Sequence, residues 1–201
     1  MLQEAVQDSE FSVRFLAVRI LRALDPRTCL EEPVDPARLY LSNLKIAVHW
    51  TVKLVHIDAL CGDVEAHPEN AFHTAMHLSN LLSVSEHLPV REHAGEGLLK
   101  IASYLTVDQR NEIAVDLLRE LENGRDQVSR FIPPFLGKLL CTLPEKEFEE
   151  GMSFLEDMIR SGVERSARAA GYTLGAILTL VRDDPATVDR ALGLLTTGIA
   201  H

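Results

Sequence analysis

One spacing recurs along the chain and constrains its fold more than any other feature. Val90, Ala94, Leu98 and Ile101 stand four, four and three residues apart, which puts them on one face of an α-helix. A step of 38 residues gives Val128, Ile132, Leu136 and Leu139, with Gly137 after the Leu. A second step gives Ser166, Ala170, Leu174 and Ile177, with Gly175 after the Leu. Stepping back gives Val52, His56, Leu60 and a poor fourth match at Asp63, then Val13, Ala17, Leu21 and Leu24. The copies start at 13, 52, 90, 128 and 166, and Leu holds the third place in all five.

A further amphipathic helix precedes each of the later copies. Phe72, Met76 and the Leu81/Leu82 pair mark one; Ile113, Leu117 and Leu121 mark the next; Phe148, Met152, Leu155 and Ile159 mark the third. The turn signals "SEHLP" (85–89), "ENGRD" (122–126) and "RSGVE" (160–164) separate the members of each pair. Between pairs come "LTVDQ", "LPEKE" and "RDDPA", where Asp or Pro marks a helix start. One such pair cannot bury its apolar stripe alone, whereas stacked pairs join their stripes into one core. Small residues at Ala94, Gly95, Ala169 and Ala170 suit close helix approach. The expected fold is all-α.

The pattern resembles the HEAT-repeat (armadillo-like) α-solenoid family. The likeness lies in the Val–Arg pairs at Val13–Arg14 and Val90–Arg91, the Leu–Gly pairs at Leu136–Gly137 and Leu174–Gly175, and the small residues Ala17, Ala94 and Ala170. It covers nearly the whole chain, best from about residue 70 to 180. It implies a right-handed α-solenoid of about five helix-turn-helix repeats with a 38-residue period. The whole of 1–201 then reads as one repeat domain, with repeats at about 1–25, 34–64, 70–105, 109–143 and 147–181 and a lone final helix at 187–199.

Departures from the template are informative. The second repeat leaves little room for a turn, so a short first helix or one continuous helix is expected there. "CLEEPVDP", with Pro33 and Pro36, reads as a loop ahead of it. Pro133 and Pro134 fall inside the fourth template, where they either kink a helix or start one after an irregular turn. Val188, Leu192, Leu195 and Ile199 read as a first helix with no partner. Solenoids need polar caps, so the chain reads as a fragment of a longer protein unless that helix is itself the cap.

Composition narrows the function. The formal charge is −10 at pH 7, a field that opposes general binding to nucleic acid. Cys29, Cys61 and Cys141 are scattered with no CxxC spacing, which fits reduced thiols in the cytoplasm. No apolar run approaches a membrane span, and "MLQEAVQDSE" is not a signal peptide.

Candidate chemistry is sparse. His73 and His77 share a helix face at i, i+4, with His67 and Glu69 upstream, but two ligands do not close a metal site and the pair reads as exposed histidines. His56 takes a core position and reads as a buried, hydrogen-bonded histidine. Trp50, between His49 and Thr51, reads as packing. Cys141 reads as core within a helix, not as a nucleophile. Basic residues gather at Arg14, Arg19, Arg22 and Arg27 and again at Arg160, Arg165 and Arg168. Asp58 and Glu96 lie in the region matching Arg19 and Lys53, so a mixed solvated face is expected. No nucleophile, base and oxyanion set is legible, no phosphate loop is present, and no catalytic residue, cofactor or metal is assigned.

The expected function is therefore a non-catalytic protein-interaction scaffold that binds a partner protein or a neighbouring domain through its second helices. Arg19, Lys53, Glu96 and Pro134 are the candidate groove residues. The alternative is an enzyme of solenoid form, resembling a DNA alkylpurine glycosylase or a phycobilisome lyase. The former requires a basic groove, which the charge opposes, and for the latter no tetrapyrrole pocket can be named.

Overall fold

A computed structural model of the chain describes residue 13 and residues 50–123 and 131–199. Among these the protein is all-helical, with eight α-helices and no strand. They are α1 (Trp50–Ala66), α2 (Ala71–Val84), α3 (Leu88–Ile101), α4 (Val107–Asn123), α5 (Pro133–Leu140), α6 (Glu145–Arg160), α7 (Glu164–Leu178) and α8 (Pro185–Ile199). Short 3-10 turns at Pro68–Asn70 and Ala102–Tyr104 precede α2 and follow α3. The first repeat apart from Val13, the "CLEEPVDP" loop, the start of the second repeat and most of "ENGRD" lie outside the described residues.

Beyond Val13 the repeated template is buried at every described position except Asp63. Val90, Ala94, Leu98 and Ile101 are inaccessible to water, as are Ile132, Leu136 and Leu139, and Ala170, Leu174 and Ile177. Ser166, Val52, His56 and Leu60 are buried with them. The weak fourth match has a local cause. Asp63 accepts a hydrogen bond from Asn70 Nδ2 at 3.0 Å, and Val64 one position later takes the buried slot. Val13, read as a template position, is 39% exposed.

The helices begin and end for reasons visible in the side chains. At the start of α4, Thr106 Oγ1 accepts from the Gln109 amide at 3.3 Å, while Gln109 Oε1 accepts from the Thr106 amide at 3.0 Å. This reciprocal box satisfies two amides that the first turn leaves without helical partners. Thr106 is thus the cap, and Asp108, which marks the helix start in the sequence, stands in the first turn. At α8, Asp184 Oδ1 accepts from the Ala186 and Thr187 amides at 3.2 and 3.4 Å, as an Asp before the helix should. Helix α6 closes where Gly162 turns into the left-handed region at φ +72°, which a residue without Cβ adopts freely.

One alternative left open by the sequence is decided and two expectations are corrected. Pro133 does not kink a helix but opens α5, where its missing amide has no helical acceptor to lose. In α2 the buried face is Ala71, Thr74, Ala75, Leu78 and Leu82, while Met76 is 45% exposed and Phe72 half-buried. In α8 the buried residues are Ala191 and Leu194, and Leu192 faces out.

Contacts divide the chain into two compact bodies. One takes the chain up to Leu81 with Ser85–Tyr104; the other takes Leu82–Val84 with the chain from Leu105 on. In the first, α3 packs along α1. A Cβ at Gly97 would lie 2.9 Å from Cys61 Sγ and 3.4 Å from Ile57 Cγ2, so glycine sets the distance between these helices. Polar contacts flank the seam: a salt bridge from Lys100 to Glu65 at 2.7 Å and a hydrogen bond between His93 Nε2 and Asp58 Oδ1 at 2.8 Å. The Arg91 guanidinium is buried, and its Nε–H donates to the Ser85 carbonyl, tying α3 back to the turn that follows α2.

In the second body each helix packs on its neighbour and on the helix two places along. Thus α4 meets α5 and α6, α5 meets α7, and α6 meets α7 and α8. The tightest seam is α5 on α7. A Cβ at Gly137 would stand 2.7 Å from Ala176 Cβ and 2.9 Å from the Thr173 carbonyl oxygen. Arg165 donates to the Glu122 carbonyl at 2.6 Å, joining α7 to α4. Arg190 of α8 reaches Glu149 and Glu156 of α6. No helix among the described residues is long and apolar enough to cross a membrane.

Candidate functional site

Among the described residues, the second body carries a concavity with a mostly apolar lining. It lies where α5 and α7 come together, the two helices that approach closely at Gly137. The furrow is a shallow recess of about 640 Å³ lined by Pro134, Lys138, Gly171, Tyr172, Gly175, Ala176 and Thr179. Pro134 stands in the first turn of α5, and Lys138 follows one turn later on the same face. Tyr172 is 59% exposed, an aromatic ring offered to solvent. The Thr179 hydroxyl donates to the Ala176 carbonyl at 2.7 Å, so it is engaged at the helix end. The lining is apolar with one ammonium, one phenol and one committed hydroxyl. Such a surface can seat an apolar side chain and orient a polar group beside it.

The groove residues read from the sequence fare differently. Pro134 lines this recess. Lys53 is half-buried on α1 and Glu96 exposed on α3, two helices of the first body that pack together. The Glu96 carboxylate lies 3.9 Å from His93 Nδ1, whose Nε2 is the atom beside Asp58. That cluster is a mixed ionic surface. Arg19 lies outside the described residues, as do the other basic residues of the first repeat. Arg160, Arg165 and Arg168 are each engaged, with Glu156, the Glu122 carbonyl and Glu164.

His73 and His77 meet edge to face with ring centroids 4.7 Å apart, and His67 Nδ1 sits 3.5 Å from Glu69. Among the described residues no three His, Cys, Asp or Glu side chains converge as a metal site would need. Trp50 stacks at a tilt over His87, centroids 6.4 Å apart. His56 is fully buried, and loss of hydration lowers its pKa to about 4, so the ring is neutral at neutral pH. Cys141 follows the end of α5 instead of lying within a helix; burial raises its thiol pKa, which keeps it protonated and poorly nucleophilic.

Tyr172, Gly171 and Thr179 escape a sequence reading because none belongs to a chemical motif. One signal for Tyr172 was present: it stands 38 residues after Pro134, at the same register of the next copy. No protein-family model matches the chain, and no curated protein matches it.

Proposed function

We propose that the protein is a non-catalytic interaction scaffold, a HEAT-like solenoid of about five repeats that binds a partner protein or a neighbouring domain through its second helices. The carrying observation is the α5–α7 recess, where an exposed Tyr172 and Lys138 flank a floor of Gly171, Gly175 and Ala176. Exposed aromatics beside small-residue floors are the anchors and pockets on which protein interfaces concentrate their binding energy. The burial of the template in successive copies supports the repeat reading, since stacked pairs demand it. A cytoplasmic location fits the reduced thiols of Cys61 and Cys141.

The test places a photo-crosslinking amino acid at position 172 and, as a control, at Glu120, an exposed residue of α4. A discrete adduct at 172 that is missing at 120, and that Pro134→Asp suppresses, is the expected result. Identical adducts at both positions refute the reading.

A further inference from the structure

The outward face of α2 carries three side chains that neither the core nor the recess uses. Ala71, Thr74, Ala75, Leu78 and Leu82 are buried and hold the helix, so the stripe on its other side is fixed toward solvent. His73 is exposed on that stripe, and His77, one turn later, is half-buried. Met76, one residue before His77, is 45% exposed. The apolar spacing puts Met76 in the core, and two histidines alone do not close a metal site. With the methionine turned outward, its thioether stands on their side of the helix. Residues at i, i+3 and i+4 are surface neighbours, with Cβ atoms about 5–6 Å apart. The two imidazoles meet edge to face, their centroids 4.7 Å apart. Two imidazoles that share one ion, at a metal–nitrogen distance of about 2 Å, have centroids roughly 5 Å apart. Rotation of the side chains is therefore enough to close both rings on a metal.

The ligand set selects the ion. Among the described residues no third His, Cys, Asp or Glu joins the pair, and His67 is turned to Glu69, its Nδ1 3.5 Å from the carboxylate. Zinc sites take thiolate, imidazole and carboxylate, usually four ligands in all, and calcium and magnesium take oxygen. A thioether with two imidazoles suits a soft ion of low coordination number, and copper in its lower oxidation state accepts both ligand types. We propose that His73, Met76 and His77 form a surface site for Cu(I), with one nitrogen from each histidine and the Met76 sulfur making a three-coordinate centre. A single positive charge is also favoured by the field of a chain whose formal charge is −10. The site lies in the first body and does not depend on the scaffold reading, whose recess belongs to the second.

The experiment uses the full chain without oxygen, its reactive thiols capped by N-ethylmaleimide so that cysteine does not compete. Cu(I) is supplied as its coloured bicinchoninate complex, and bleaching of that complex reports transfer to the protein. A single ion per chain is the expected result. Met76→Leu keeps a similar apolar side chain but removes the sulfur, and should weaken Cu(I) binding by roughly ten-fold or more. X-ray absorption at the copper edge should lose a sulfur neighbour in the same variant. Its binding of Cu(II) should be unchanged, because that ion takes the two imidazoles and water. His73→Ala, at an exposed position, should abolish binding of both ions. Unchanged thermal midpoints show that both variants keep the fold. Absence of transfer overturns the proposal, as does transfer that survives His73→Ala, since the ion then sits elsewhere. Cu(I) binding indifferent to Met76→Leu reduces the site to a histidine pair and refutes the three-ligand centre. Equal weakening of Cu(I) and Cu(II) by Met76→Leu refutes it too, because a disturbed helix then accounts for both.

Discussion

His56 should make the first body acid-sensitive, and the size of the effect follows from its burial. The ring is inaccessible to water at the second template position, where the other described copies carry Ala94, Ile132 and Ala170. Its pKa falls from the ordinary 6.5 to about 4 because the imidazolium would have to be held without its hydration. Below the ordinary value the unfolded chain takes up a proton that the folded chain refuses, so unfolding gains as pH falls. The contribution is intact above 6.5, declines through the window down to about 4, and is flat below it. Between about pH 7 and about pH 5 the two binding curves differ by roughly 2 kcal/mol. Carboxylates titrate in the same range, so the comparison must be with His56→Ile, the residue of the fourth copy. Urea unfolding of both proteins at the two pH values isolates the term, since any packing change in the variant cancels in the difference. The wild type should lose about 2 kcal/mol more than the variant on acidification, at unchanged m-value. Equal losses in the two proteins would refute desolvation as the dominant influence on this ring.

Gly137→Ala gains helix propensity but drives a methyl into Ala176 and the Thr173 carbonyl, so a net loss of about 1–3 kcal/mol is expected from the unfolding midpoint. Gly175→Ala, at the same register with open space, should instead gain about 0.5–1 kcal/mol by the same assay. Thr106→Ala removes one half of the α4 box, and denaturation should register a loss of about 1 kcal/mol, with faster amide exchange in the first turn of α4. Arg190→Met cuts the α8 link to Glu149 and Glu156; the pair is partly exposed, so the loss should stay under about 1 kcal/mol and shrink further at high salt.

The periodic part of the fold was legible because burial enforces it. Leu60, Leu98, Leu136 and Leu174 occupy the third template place and none is accessible to water. A Leu there has one direction in which to hide, and the sequence repeats that direction. What was not legible is governed by distance between helices. Ala71 and Ala75 are buried in α2 beside Leu78 and Leu82, and short buried side chains leave little hydrophobic signature. The same holds for Gly97, whose role depends on Cys61 and Ile57 arriving opposite it from 36 and 40 residues earlier. Pro133 was open to two readings because a proline's missing amide means different things inside a helix and at its first turn. The candidate site was legible only at Pro134. Its other walls are two glycines, an alanine, a lysine, a threonine and a tyrosine whose meaning comes from the furrow they line.

Cys61 gives the first body a built-in clock. Its sulfur is buried where Gly97 lets α3 approach α1, at the point of closest contact. A thiol reagent larger than water has no route to it while those helices touch, so each modification event records a separation of α1 from α3. Cys141 is only half-buried at the end of α5 and belongs to the other body. Its half-exposed thiol is the reference for intrinsic reactivity, and protection of the Cys61 peptide relative to the Cys141 peptide as denaturant rises reads opening of the first body.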